Sequence, residues 1–220
     1  MLIKYIGHSC FKLRDYDTEF SIIFDPYKPG SVPGYRDVKD TASMVLCSHE
    51  HDDHCGSECV VLEESDTNPY DIEVIDTYHD PESGSLRGMN RIHIVTHRET
   101  GEKLIHYGDI GEKLDNLLTD ENLELLSGAD IALVPVGGTY TYDADEALDL
   151  IERTKPNVTI PMHFRSEQLG IGYPNIGTID EFASKAVSRG MVVRTGHVYF
   201  YDSQQSPLDE CILVIRPQNS

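Results

Sequence analysis

The chain opens on short runs in which apolar and polar residues alternate, the period-two pattern of strands with one buried face. Such runs occur at Leu2 to Ile6, Cys10 to Leu13 and Phe20 to Phe24, ahead of a Pro/Gly-rich loop from Pro26 to Gly34, and they predict an antiparallel meander. Met44 to Cys47 reads as a brief buried strand that runs directly into a histidine-rich segment, placing the histidines on a loop at its C-terminal end. Further strands are expected at Ile72 to Ile75, Arg91 to Thr96 and Lys103 to Tyr107, the last two joined by the turn Glu99-Thr100-Gly101-Glu102. Helices enter in the second half. Asp143-Ala144-Asp145-Glu146 is a capping-box pattern ahead of Ala144, Ala147, Leu148 and Ile151 at helical spacing, and Thr178-Ile179-Asp180-Glu181 repeats it. Ile179, Phe182, Ala183, Ala186 and Val187 then share one helical face, which predicts a core-packing stripe. Strands at Ile131 to Pro135, Val158 to Pro161, Val192 to Arg194, Val198 to Tyr201 and Cys211 to Ile215 complete a β-rich α/β pattern. No linker or low-complexity tract divides the chain, so residues 1–220 are read as a single domain.

Composition changes this picture mainly by exclusion. With 39% hydrophobic and 25% charged residues the proportions are ordinary for a globular protein. The 38 acidic against 18 basic residues leave a net charge of -20, and no Lys/Arg cluster offers a basic stripe, so nucleic acid is not expected as a partner. The same acidity disfavours anionic membranes. The segment Met1-Leu2-Ile3-Lys4-Tyr5-Ile6-Gly7-His8 lacks the apolar core of a signal peptide, and no apolar run is long enough to span a bilayer. Cys10, Cys47, Cys55, Cys59 and Cys211 are odd in number and irregularly spaced, which suits reduced thiols and a cytoplasmic location. A small-molecule substrate is the expected partner, with homo-oligomerisation left open.

The candidate chemistry lies in Ser48-His49-Glu50-His51-Asp52-Asp53-His54. His49, His51, Asp53 and His54 fall within six positions, a density of transition-metal ligands that packing does not account for. Imidazoles two residues apart in an extended loop can point the same way, and Asp53 and His54 follow on the next bend, where they can face a second ion. Outside this segment, Asp109 follows Gly108 just past a strand, and His163 ends the apolar run Val158-Thr159-Ile160-Pro161-Met162.

His-X-His-X-Asp-His after a short apolar strand resembles the signature of metallo-β-lactamase-fold hydrolases. The resemblance extends to the UlaG-like, ascorbate-phosphate lactonase-like branch through Gly7-His8-Ser9-Cys10-Phe11, His79-Asp80 with Arg87-Gly88-Met89-Asn90, His106-Tyr107-Gly108-Asp109 and Pro161-Met162-His163-Phe164. It implies a four-layer αββα sandwich with the site along one edge of two facing sheets. It also implies that His49, His51 and His79 bind one divalent ion, that Asp53, His54 and His163 bind another, and that Asp109 bridges them. Zinc suits these donors first, with manganese or iron as alternatives. His8 and His106 are expected to orient ligands or touch substrate, with Asn90 in the same company, and Asp52 is a further candidate for orienting a ligand. His93, His97 and His197 are read as plain strand residues, and Cys55 and Cys59 as ordinary thiols. The sequence departs from the branch at Glu112, where relatives carry another histidine, and this puts the substrate in question.

The implied activity is hydrolysis of a small lactone, ester or amide by a metal-bound hydroxide, with Asp53 or Asp109 taking or relaying a proton. Arg87 and Arg165 are candidates for gripping an anionic group. Three alternatives stand beside it: a phosphodiesterase on a small substrate, an iron-dependent oxidoreductase of the same fold, and a metal-binding module without turnover.

Overall fold

A computed structural model describes residues 1–65, 67–139, 141–196, 199–205 and 207–220. Alternation along β1 (Leu2–Gly7) and β2 (Cys10–Arg14) puts Ile3, Tyr5, Phe11 and Leu13 on one face, all fully buried, and Lys4 and Lys12 on the other. The antiparallel register follows this division, pairing Ile3 with Leu13 and Lys4 with Lys12. β3 (Ser21–Phe24) continues the meander against β2. β4 (Asp40–Ala42) pairs in parallel with β6 (Val60–Leu62), and Asp40 accepts from Lys4 Nζ at 2.7 Å and Lys12 Nζ at 2.9 Å, which ties this small pair to the polar face of β1 and β2. β5 (Met44–Leu46) lies parallel to β3 at the sheet edge, where its residues are half-buried rather than buried as the sequence suggested.

β7 (Tyr70–Tyr78), β8 (Met89–His97) and β9 (Lys103–His106) form an antiparallel run, with β7 extending further at both ends than its apolar centre implied. Helices α1 (Leu114–Leu117) and α2 (Asp120–Leu126) then lead into β10 (Ile131–Pro135), parallel to β9. α3 (Ala144–Thr154) carries the chain to β11 (Val158–Met162), and α4 (Ile179–Ser188) to β12 (Val193–Thr195). β13 (Phe200–Asp202) closes the first sheet against β1, and β14 (Cys211–Val214) lies between β11 and β12. The second sheet has the order β12-β14-β11-β10-β9-β8-β7, its central parallel strands β10 and β11 buried throughout, as strands covered on both faces must be.

The two sheets face each other. Phe24 of the first stacks on His106 of the second at 5.2 Å between ring centroids, and Tyr5 meets Phe164 at 6.3 Å. Helices lie outside this pair, giving the mixed α/β sandwich expected. α3 begins with the full capping box, Asp143 accepting from Asp145 and Glu146 N–H while Glu146 returns to the Asp143 N–H. α4 is capped by Thr178 and buries Ile179, Phe182 and Ala186, but Val187 is 60% exposed, because the stripe drifts off the buried face in the last turn. α1, α2, β4 and β6 had no counterpart in the sequence reading; α1 and the two strands are too short to show periodicity. His93 and His97 are strand residues as expected, whereas His197, with Val198, lies outside the described residues. Among the described residues no helix is long and apolar enough to cross a membrane.

Candidate metal centre

Strand ends build the site. The loop after β5 carries His49, His51, Asp53 and His54; His79 follows β7, Asp109 follows β9 and His163 follows β11, so residues far apart in sequence meet at one edge of the sandwich. Asp109 is at the centre, its Oδ2 lying 3.1 Å from His54 Nε2, 3.2 Å from His79 Nε2 and 3.1 Å from His163 Nε2. Among the described residues three overlapping groups of donors could hold metal: His49 with His51 and His79; His8 with Asp53, His54 and His163; and His49 with His54 and Asp109. Within each group the donor atoms lie within 4.8 Å of one another.

Supporting residues fix how the imidazoles present their lone pairs. Asp25, fully buried just past β3, accepts from the Ser48 N–H and Ser48 Oγ at 2.6 Å each and from His54 Nδ1 at 2.7 Å. With its one hydrogen given to Asp25, Ser48 Oγ accepts from His49 Nδ1 at 2.9 Å. Both Nδ1 atoms are thereby donors, which turns His54 Nε2 toward Asp109 Oδ2 and leaves His49 Nε2 with no hydrogen-bond partner among the described residues. Asn90 holds the other side: its Oδ1 accepts from the Asp109 N–H at 2.9 Å, while its Nδ2 donates to Thr77 Oγ1 and the Tyr107 carbonyl. Gly108 sits at φ 57°, and a side chain there would overlap Asn90 Oδ1 and Ser48 Cβ.

The electrostatics suit cations. Burial, together with His54, pushes His49 down to about 2, so its imidazole is neutral and free to coordinate. Burial opposes ionisation of Asp109, yet His163 and His54 hold its carboxyl well below the ordinary range, and His54 and His8 do the same for Asp53. His54 is held up instead: burial acts against its charge, but Asp109 and Asp25 favour the imidazolium. A metal ion at Nε2 answers the same carboxylates that favour that proton. Buried imidazoles with Nε2 turned inward and ionised carboxylates make a donor set that fits divalent transition metals.

The cleft over this centre has a volume of about 240 Å³, and beyond His51, Asp53, His79, Asp109 and His163 it is lined by Arg87, Thr139, Tyr173, Asn175 and Ile176. A larger surface depression of about 450 Å³, lined among others by Ile6 and Arg36, has no histidine among its described lining residues. Arg87 is delivered by a loop that Asp80 organises, its carboxylate accepting from the N–H groups of Glu82, Gly84, Leu86 and Arg87. Arg165 is directed elsewhere, bound to Glu167 at 2.6 Å and to the Ile176 carbonyl. His106 lies beneath the site, hydrogen-bonded to the Ser9 carbonyl and the Gly108 N–H and stacked on Phe24, and it does not line the cleft. Asp52 faces solvent and pairs with Lys28, too far out to orient a ligand. Glu112 is absent from the cleft lining, its carbonyl accepting from Tyr142 Oη. Cys55 and Cys59 are free thiols outside the donor groups. Sequence reasoning missed Asp25 and Tyr173. A carboxylate one step past an apolar strand, the signal used for Asp109, marks Asp25 too; nothing local marks Tyr173, whose hydroxyl donates to the Ser31 carbonyl at 2.7 Å and lies 3.3 Å from Asp53 Oδ2.

Comparison with known proteins gives the family to which this fold belongs. The profile of the Beta-lactamase superfamily domain matches residues 2–163. A UPF0173 metal-dependent hydrolase of Carboxydothermus hydrogenoformans is 26% identical over 88% of this chain and 96% of its own length. One from Methanocaldococcus jannaschii is 27% identical over 87% and 95%. A Thermotoga maritima crystal structure assigned as a Zn-dependent hydrolase of the metallo-beta-lactamase superfamily superposes with a TM-score of 0.69, at 25% identity, covering 99% of both chains. With the profile spanning most of its length and the imidazole/carboxylate cluster in place, the chain belongs to the beta-lactamase superfamily domain family.

Proposed function

We propose that the chain is a metal-dependent hydrolase with a binuclear centre, acting on a small anionic lactone or ester in the manner of the UlaG-like branch. The observation that carries this reading is the pair of donor groups on either side of Asp109, opening on a small cleft that Arg87 lines. His49, His51 and His79 would hold one ion and Asp53, His54 and His163 the other, with Asp109 between them; zinc is the first choice of metal. Divalent ions in such a site supply Lewis acidity toward a carbonyl or phosphoryl oxygen and an acidified water nucleophile.

The chain's own residues do the rest. The Arg87 guanidinium offers a fork to a carboxylate or phosphate on the substrate. Thr139, Asn175 and the Tyr173 ring bound the cleft and limit substrate size. The Tyr173 hydroxyl, 3.3 Å from Asp53 Oδ2, would bound the cleft beside that ligand, and Asp53 or Asp109 would relay a proton released during attack. Arg87 equally suits a small phosphodiester, the second reading. Metal analysis of the purified protein, followed by lactone, ester and phosphodiester panels, tests both: hydrolysis of anionic lactones or esters that is lost in Asp109→Asn is expected. Turnover confined to phosphodiesters selects the second reading. Iron content with oxygen consumption and no hydrolysis would overturn both.

A further inference from the structure

His8 is the one imidazole at this centre for which the ligand assignment above has no use. It sits in the turn between β1 and β2, fully buried, and among the described residues neither ring nitrogen has a hydrogen-bond partner. Histidines buried for structural reasons are satisfied by a carbonyl or hydroxyl, as His106 is by Ser9; a ring with both nitrogens bare is a rare and unfavourable state. The ring points into the donor cluster, with Nε2 3.5 Å from Asp53 Oδ2 and its centroid 4.3 Å from that of His163 and 5.4 Å from that of His54.

The backbone is bent to keep it there. His8 lies at φ 55° and His163 at φ 51°, left-handed conformations uncommon outside glycine, though histidine is among the residues that accept them more readily. The two turns are tied together, since the His163 N–H donates to the His8 carbonyl at 3.2 Å and Tyr5 Oη donates to the same oxygen at 2.9 Å. Strain held by surrounding contacts at a polar site is the mark of a positioned functional group.

We propose that His8 is a direct metal ligand, adding its donor to Asp53, His54 and His163 at the second ion, beside the shared Asp109. This rests on the binuclear reading above and goes beyond it. Donors about 2 Å from one ion stand roughly 3–4 Å apart, and the donor atoms of these four residues lie within 4.8 Å of one another. The two donor groups then differ: His49, His51 and His79 would offer three donors besides the shared Asp109, and His8, Asp53, His54 and His163 would offer four, so the second group is expected to bind its ion more tightly.

Two variants, His8→Asn and His8→Gly, both accommodate the positive φ and so preserve the turn. Metal titration of wild type against a competing chelator is expected to give two affinities. Either variant should lower the tighter one by more than about 100-fold, beyond the 10–100-fold typical of losing a supporting residue. In the Co(II)-loaded protein each coordinated imidazole gives a shifted, exchangeable N–H proton resonance, and both variants should lack one that wild type shows. Circular dichroism of the metal-free variants checks the fold. Retention of every shifted resonance, whatever the affinity, overturns the ligand role. Binding of a single ion by wild type defeats the binuclear reading instead, and the same resonance still reports whether His8 holds that ion.

Discussion

Asp25 is a buried carboxylate with three donors around it, and its value lies in what it does to others. Burial opposes its charge, but His106 and His54 hold its carboxyl below the ordinary range, so it stays ionised and fixes the His54 ring with Nε2 inward. Asp25→Ala should therefore lower metal affinity about 10–100-fold while leaving a folded protein, measurable by chelator competition. Unchanged affinity would show that His54 needs no such partner. Gly108→Ala makes a sterner demand, since the added methyl meets both Ser48 and Asn90 at a positive φ. A loss of stability of about 1–3 kcal/mol from backbone strain alone is expected. Displacement of the neighbouring Asp109 should cut metal content as well, read by denaturant unfolding and elemental analysis. At this scale the sequence was informative wherever ligands are chain neighbours. His49, His51, Asp53 and His54 could be read together because their spacing is local, and Gly108-Asp109 because a small residue before a carboxylate has a steric meaning.

At the scale of elements, β4 is held to the first sheet by Asp40 and its two lysines, which are largely buried. Burial would raise the Asp40 carboxyl, but Lys4 and Lys12 outweigh it and lower the pKa. A carboxyl depressed by folding contributes stability above its unfolded pKa of about 3.9, and that contribution disappears as pH falls through the lower folded value. Asp40→Asn should accordingly cost about 1–2 kcal/mol near neutrality. The gap from wild type should close on acidification below about pH 4, as paired unfolding curves would show; a gap independent of pH would mean that packing, not charge, ties β4 down. The helices with capping signals were legible because Asp143 and Thr178 act within their own first turns. β4 was not, because three residues paired to β6 and pinned by distant lysines carry no pattern of their own.

For the whole molecule, the metal centre joins the ends of β5, β7, β9 and β11, so ions there would link both sheets. Ligand bound at about 1,000 times its Kd stabilises a fold by about 4 kcal/mol. For a domain of this size that corresponds to a shift in melting temperature on the order of 10 °C. Chelation should lower the melting temperature by that order and re-addition of zinc should restore it; a melting curve indifferent to both would count against resident ions. Amino-acid order alone determined what acts over a few residues: strand alternation, helix starts, and a loop dense in imidazoles and carboxylates. Only tertiary structure decided that His8 joins the cluster, that Arg165 turns to Glu167 while Arg87 lines the cleft, and that Asp25 and Tyr173 belong to the site. The reason is physical: local spacing sets dihedral and periodic preferences, whereas burial, lost hydrogen-bond partners and charge proximity arise when strands more than a hundred residues apart are packed edge to edge.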